Sequence, residues 1–168
     1  MNSRVKHHRL IAQGARLHEA RRYTSALTYF ERALRVAPKC SLALYNRANT
    51  LHMLGRDEEA YPILRALVQA GDKDLLQGCP NIRPRSLRLD AFQLLFWVVL
   101  YGRGYCAEAF RYAAEHARRR TRGLRSAWTA REVRADVARM RRNWKELQAG
   151  GPGQLVVGVA QRQEVVVA

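Results

Sequence analysis

Two histidines, His18 and His52, stand thirty-four residues apart in the chain. If that interval is one structural unit, they sit on adjacent helices whose axes are about 8–10 Å apart, close enough for the imidazoles to approach. With Glu19 beside them a metal site is conceivable, but two histidines fall short of a usual zinc set, so histidines making ordinary hydrogen bonds are expected. Cys40, Cys79 and Cys106 are odd in number and widely spaced, with no C-x-x-C pair, so neither a disulfide framework nor a zinc knuckle is indicated and inert thiols are expected. No serine, cysteine or carboxylate is placed against a base, so the sequence offers no catalytic residue, no metal set and no cofactor. The remaining chemistry is ionic. Arg118, Arg119, Arg120, Arg122 and Arg125, followed by Arg134, Arg141 and Arg142, could engage phosphates through bidentate guanidinium contacts.

What must position these groups is a set of helices. The chain has 168 residues, 48% of them hydrophobic, which suits one domain. A register of thirty-four residues sets Leu10 over Leu44, Gly14 over Ala48, Leu17 over Leu51, Ala26 over Ala60, Phe30 over Leu64 and Ala33 over Leu67. Within each unit the spacings are i, i+4 and i+7 on both sides of a short turn, giving two apolar stripes that face each other as an antiparallel helix pair. Small residues at Gly14, Ala26, Ala48 and Ala60 let backbones approach, and Phe30 and Leu64 fill the adjoining space. Thr24 and Asp57 are expected as N-caps of the second helices, Gly55 as a C-cap, and Pro38 as the stop of the first unit.

The series Leu10, Gly14, Leu17, Tyr23, Ala26, Phe30, Ala33, Pro38 resembles a tetratricopeptide repeat. The second unit keeps most of the pattern, departing at Leu67, Asp72 and Pro62. The resemblance implies an all-α right-handed superhelix of antiparallel helix pairs, with the first helix of each pair lining a concave peptide groove. The matching positions are His8, Ile11, Ala12, Ala15, His18 and Glu19 in the first unit, and Leu42, Tyr45, Asn46, Asn49, His52 and Met53 in the second. Ile11 and Ala15 replace the lysine and asparagine with which some relatives grip a C-terminal carboxylate, so that kind of clamp is not expected.

Beyond the second unit, residues 73–88 hold Gly78, Pro80 and Pro84 and read as an inserted loop. A degenerate third pair is expected over 89–118, with Trp97 and Ala113 where the family prefers a small and a large residue. Thr129 and Glu132 form a capping box at the head of a helix running to residue 148, an amphipathic cap such as repeat arrays need. The units are therefore 7–40, 41–72 and 89–118 with a capping helix at 129–148, within a helical domain of residues 1–148. After Gly150 a Gly-Pro-Gly break opens a flexible tail, 149–168.

Thirty Lys and Arg against fourteen Asp and Glu give a formal charge of +16, which attracts polyanions. Only four of the basic residues are lysines, so coding bias toward arginine is an equally serviceable origin for the charge. Met1–Leu10 lacks an apolar signal segment, and Ala91–Tyr101 is about half the length of a membrane span, so a cytoplasmic chain with no membrane span is expected. The function expected is that of a protein-interaction adaptor, binding an acidic or other peptide or protein in the groove. The alternative is a nucleic-acid-binding accessory protein using residues 118–145. Self-association through the stripe Val133, Val137, Met140, Trp144, Leu147 is a third option.

Overall fold

In both opening units a helix ends on the same two backbone bonds. The computed structural model describes residues 3–103, 107–120 and 129–148. Its first helices are α1 (Ser3–Glu19), α2 (Tyr23–Val36), α3 (Ser41–Met53) and α4 (Asp57–Gln69). At the α1–α2 turn the Arg21 N–H donates to His18 O and the Arg22 N–H to Leu17 O; thirty-four residues on, Gly55 donates to His52 O and Arg56 to Leu51 O. Both turns place one residue in the left-handed region, Arg21 at φ 58° and Gly55 at φ 74°. This is a Schellman-type ending, for which glycine is the ordinary occupant.

The apolar stripes meet as the register requires. Phe30 lies against Gly14 so closely that a Cβ there would come within 2.7 Å of the ring. Ala26 and Ala60 are both fully buried, as are Ala48 and Leu64. Leu10, Ile11, Ala26, Phe30 and Ala33 form one cluster under the first pair, and Leu51, Leu64, Leu95 and Ala109 belong to another that runs into later helices. Leu42 and Ile82 pack against both, so the core is continuous.

The N-caps are not the side chains expected. Thr24 and Asp57 lie inside the first turns of α2 and α4, whose N-cap positions are Arg22 and Arg56, neither capped by a side chain. Asp57 instead accepts a 2.6 Å bond from His52 Nδ1, because the tight turn brings the last residues of α3 onto the first of α4. Pro62 does not end α4, which runs on to Gln69. Its missing amide falls on an exposed position, where the unpaired carbonyl one turn back can be hydrated.

The stretch 73–88, read as a loop, is mostly ordered structure. Asp72–Leu75 forms a helical turn, α5, and α6 (Pro84–Arg103) begins at a proline whose lost amide has no partner in a first turn anyway. The connection between them is fastened to α3: Ser41 Oγ donates to Leu75 O, and Gly78, at φ 75°, lies against the Cys40 backbone. Arg88 then joins α6 to the end of α4, donating to Ala70 O at 2.6 Å and pairing with Asp72 at 2.8 Å. That pairing, with Arg85 nearby, holds the Asp72 carboxyl below its usual range.

Helix α6 is apolar almost all round, from Leu87 through Leu100, and is covered accordingly. It packs on α3, α4 and α7 (Ala107–Arg120), while α8 (Ala130–Gln148) packs on α7. Tyr61 of α4 and Tyr112 both donate to Glu108 Oε1, at 2.6 and 3.1 Å, which ties the second pair to the third. Thr129 and Glu132 make the reciprocal capping bonds at the head of α8. The architecture is an all-α solenoid of helix pairs, with α1, α3 and α6 as successive first helices. The tail expected at 149–168 lies outside the described residues.

Candidate functional site

The twelve positions expected to line a groove divide by exposure. His8, Ala12 and Glu19 are open to solvent and Ala15, Leu42 and Met53 are partly so, whereas Ile11, His18, Tyr45, Asn46, Asn49 and His52 are buried. On α1 the stripe His8, Ala12, Ala15, Glu19 is accessible along its length; its counterpart on α3 is open only at its ends, Leu42 and Met53, with Asn46 and Asn49 sunk between them.

The sunken polar groups are fastenings between helices. His18 Nδ1 donates to Thr50 Oγ1 at 3.0 Å, Thr50 donates onward to Asn46 O at 2.8 Å, and the Asn49 amide reaches His18 Nε2 at 3.4 Å. This chain locks α1 to α3 and fixes the tautomer of His18. His52 bonds Asp57 and its ring lies 5.5 Å from Tyr101 of α6. His18, His52 and Tyr101 thus hold corresponding places on three successive first helices. The two histidines are engaged separately. Tyr45 is raised well above its ordinary pKa, first by burial and then by the Asp90 carboxylate, so it stays a neutral phenol.

The basic residues fall into two groups. Arg118 and Arg119 are both held by Glu115, at 2.5 and 2.6 Å, and these bonds pull that carboxyl down to about 2. Arg119 also stacks over Phe92 at 5.0 Å, and Arg120 is only partly exposed. On α8, Arg131, Arg134, Arg139, Arg141, Arg142 and Lys145 are exposed. Arg122 and Arg125 lie outside the described residues; of the α8 apolar stripe, Val137 packs against the larger core cluster.

A further constellation was not visible in the sequence. Cys40 and Cys79 are joined by a disulfide with Cα atoms 5.3 Å apart, correcting the expectation of separate inert thiols. His7 of α1 lies beside them, its Nε2 3.8 Å from Cys79 Sγ, and its Nδ1 donates to Ala33 O at 3.1 Å. All three side chains are buried. Burial is the main cause that lowers the His7 pKa, with a smaller push from His8, so the ring is neutral near pH 7. Seventy-two residues separate His7 from Cys79, and the glycine at position 78 was the sole local hint of a close backbone approach.

No helix among the described residues is long and apolar enough to cross a membrane. Compared with known families, residues 11–74 match the family model described as tetratricopeptide repeat. No curated protein and no solved structure matches the chain.

Proposed function

Because residues 11–74 are tetratricopeptide repeats, a module that generally mediates protein–protein interaction, we propose that this chain is an adaptor that holds a partner protein or peptide on its first-helix face. The observation that carries the reading is the accessible stripe on α1, His8, Ala12, Ala15 and Glu19, lying beside the partly exposed Leu42 and Met53 of α3. Stacked repeat units make extended surfaces of this kind, where small side chains admit a partner backbone and apolar ones give it area to bury. Asn46, Asn49, His18 and Tyr45 support that surface from beneath. A strongly basic chain favours an acidic partner. The repeats are typically non-enzymatic scaffolds, and the reading gives the chain a binding role without chemistry.

Substitution at the accessible positions separates contact from folding. Ala15→Arg combined with Met53→Glu should abolish recovery of the partner by affinity purification from the native cell, with the far-ultraviolet circular dichroism unchanged. Recovery that persists in the double variant would remove this face as the site.

The exposed cations of α8 favour a second reading, an accessory contact to nucleic acid through residues 118–145, including Arg134, Arg141 and Arg142. Affinity for a random duplex should then fall steeply with added salt, because each neutralised phosphate releases counterions. Partners that survive nuclease treatment belong to the first reading, and those that vanish belong to the second.

A further inference from the structure

Three potential metal donors converge where α1, the start of α3 and the α5–α6 connection meet. The Nε2 of His7 and the two sulfurs of Cys40 and Cys79 lie within 4.8 Å of one another, and these are the one group of three potential ligands among the described residues. The arrangement around the imidazole is that of a metal ligand. A carbonyl oxygen can only accept, so the His7 Nδ1–H donated to Ala33 O leaves the Nε2 lone pair directed at the sulfurs. Metal-binding histidines are commonly oriented by such a bond from the distal nitrogen. A nitrogen and a sulfur bound to one ion at roughly 2.0–2.1 and 2.3 Å stand roughly 3.5–3.8 Å apart, and the observed separation is 3.8 Å.

We propose that, once the Cys40–Cys79 disulfide is reduced, His7, Cys40 and Cys79 bind one thiophilic d10 ion, Cu(I) or Zn(II), so that covalent bond and metal are alternative fasteners of the same joint. A dithiol reductant supplies two electrons and two protons, breaking the S–S bond to give two thiols while the reductant becomes its own disulfide. The ion then binds both sulfurs as thiolates, releasing two protons to solvent, and accepts the Nε2 lone pair. Soft sulfur donors select both ions. Three donors complete a trigonal copper site, whereas zinc prefers a fourth ligand but leaves the buried cluster electrically neutral. The site is independent of the binding face proposed above, since the metal titration needs no partner.

The test uses the full chain, reduced anaerobically with dithiothreitol and desalted. Cu(I), supplied as its acetonitrile complex, is titrated against bicinchoninate, and Zn(II) against a pyridylazo indicator. One equivalent should bind to the reduced chain and less than about a tenth to the oxidised chain; the ion retained identifies the natural class. Cys79→Ser should weaken binding at least about a hundredfold and His7→Gln at least about tenfold, while Cys106→Ser leaves it unchanged. Should a variant or the reduced chain lose helical signal, its recovery on adding the ion to reduced wild-type chain supports the site. Reduced wild-type chain that takes up neither ion, or uptake that Cys79→Ser leaves intact, overturns it.

Discussion

The first two helix pairs and the third solve the same packing problem with opposite allocations of volume. In the opening units a small residue on the first helix, Gly14 or Ala48, receives a large one from the second, Phe30 or Leu64. In the third unit the equivalent places hold Trp97 and Ala113, so the bulk has moved to the first helix and the gap to the second. The pair still forms, with Ala113 fully buried and the Trp97 ring tilted against Phe96 at 4.7 Å. The third pair therefore forms without the family's allocation of small and large residues at this crossing. The third pair also buries polar groups where the others carry apolar ones. Gln93 stands where Leu10 and Leu44 stand, and His116 where Leu67 stands; both are completely buried, and neither end of the Gln93 amide meets a hydrogen-bond partner.

The largest effect should come from emptying the well-packed crossing. Phe30→Ala removes a ring that fits against Gly14 and should cost about 3–5 kcal/mol. Trp97→Ala should cost less, because that ring keeps part of its surface in water. Urea unfolding of both variants measures the contrast, and equal losses would mean the two crossings are equally tight.

Next in size is a pH dependence seated in the third pair. Burial, with help from Arg120, lowers His116 from 6.5 to about 4, so the folded state keeps it neutral while the unfolded chain takes up a proton. Its contribution is complete above pH 6.5 and is lost as the pH falls toward 4, amounting to on the order of 3 kcal/mol. His116→Leu should flatten the stability profile in that window. The Glu115 contribution has the same sign but a lower window, lost between its ordinary 4.5 and about 2, so the two are resolved by unfolding measurements at successive pH values.

Restoring the pattern at a single position should have a moderate, favourable effect. Gln93→Leu replaces an unpaired amide with the residue found at Leu10 and Leu44, and should stabilise the chain by about 1–3 kcal/mol, read as a rise in Tm. The smallest effect separates the first two units from each other. Arg21→Gly should relieve left-handed strain and stabilise by about 0.5–1 kcal/mol, whereas Gly55→Ala, with open space around its Cβ, should cost about 1 kcal/mol through backbone conformation alone. Both are accessible to denaturant titration.

These contrasts explain which features were legible in the sequence. The register from Leu10 to Leu67 depends on local periodicity, so the α1–α4 hairpins, the Gly55 turn and the Thr129–Glu132 cap could be read directly. The left-handed Arg21 could not, because its conformation is imposed by the turn that Leu17 and His18 close. Residues 73–88 looked like a loop on account of Gly78 and two prolines, yet Pro84 starts a helix and Gly78 serves a close approach to Cys40. The groove positions were placed by analogy with the first helices of the family. How deep each one lies depends on neighbours distant in sequence, and so Tyr45 and Asn49 are covered while Ala12 and Ala15 are open. The cluster of His7, Cys40 and Cys79 was hidden for the same reason, since its members have no common spacing.

The cross-link between Cys40 and Cys79 gives the molecule a shortcut along its own contour. Tension applied at the two ends of the oxidised chain passes across a gap of 5.3 Å and leaves α3 and α4 unloaded. Cutting that shortcut adds 39 residues to the stretched path, a hidden length of roughly 130 Å. The length of chain open to extension is thereby tied to the electron supply around it.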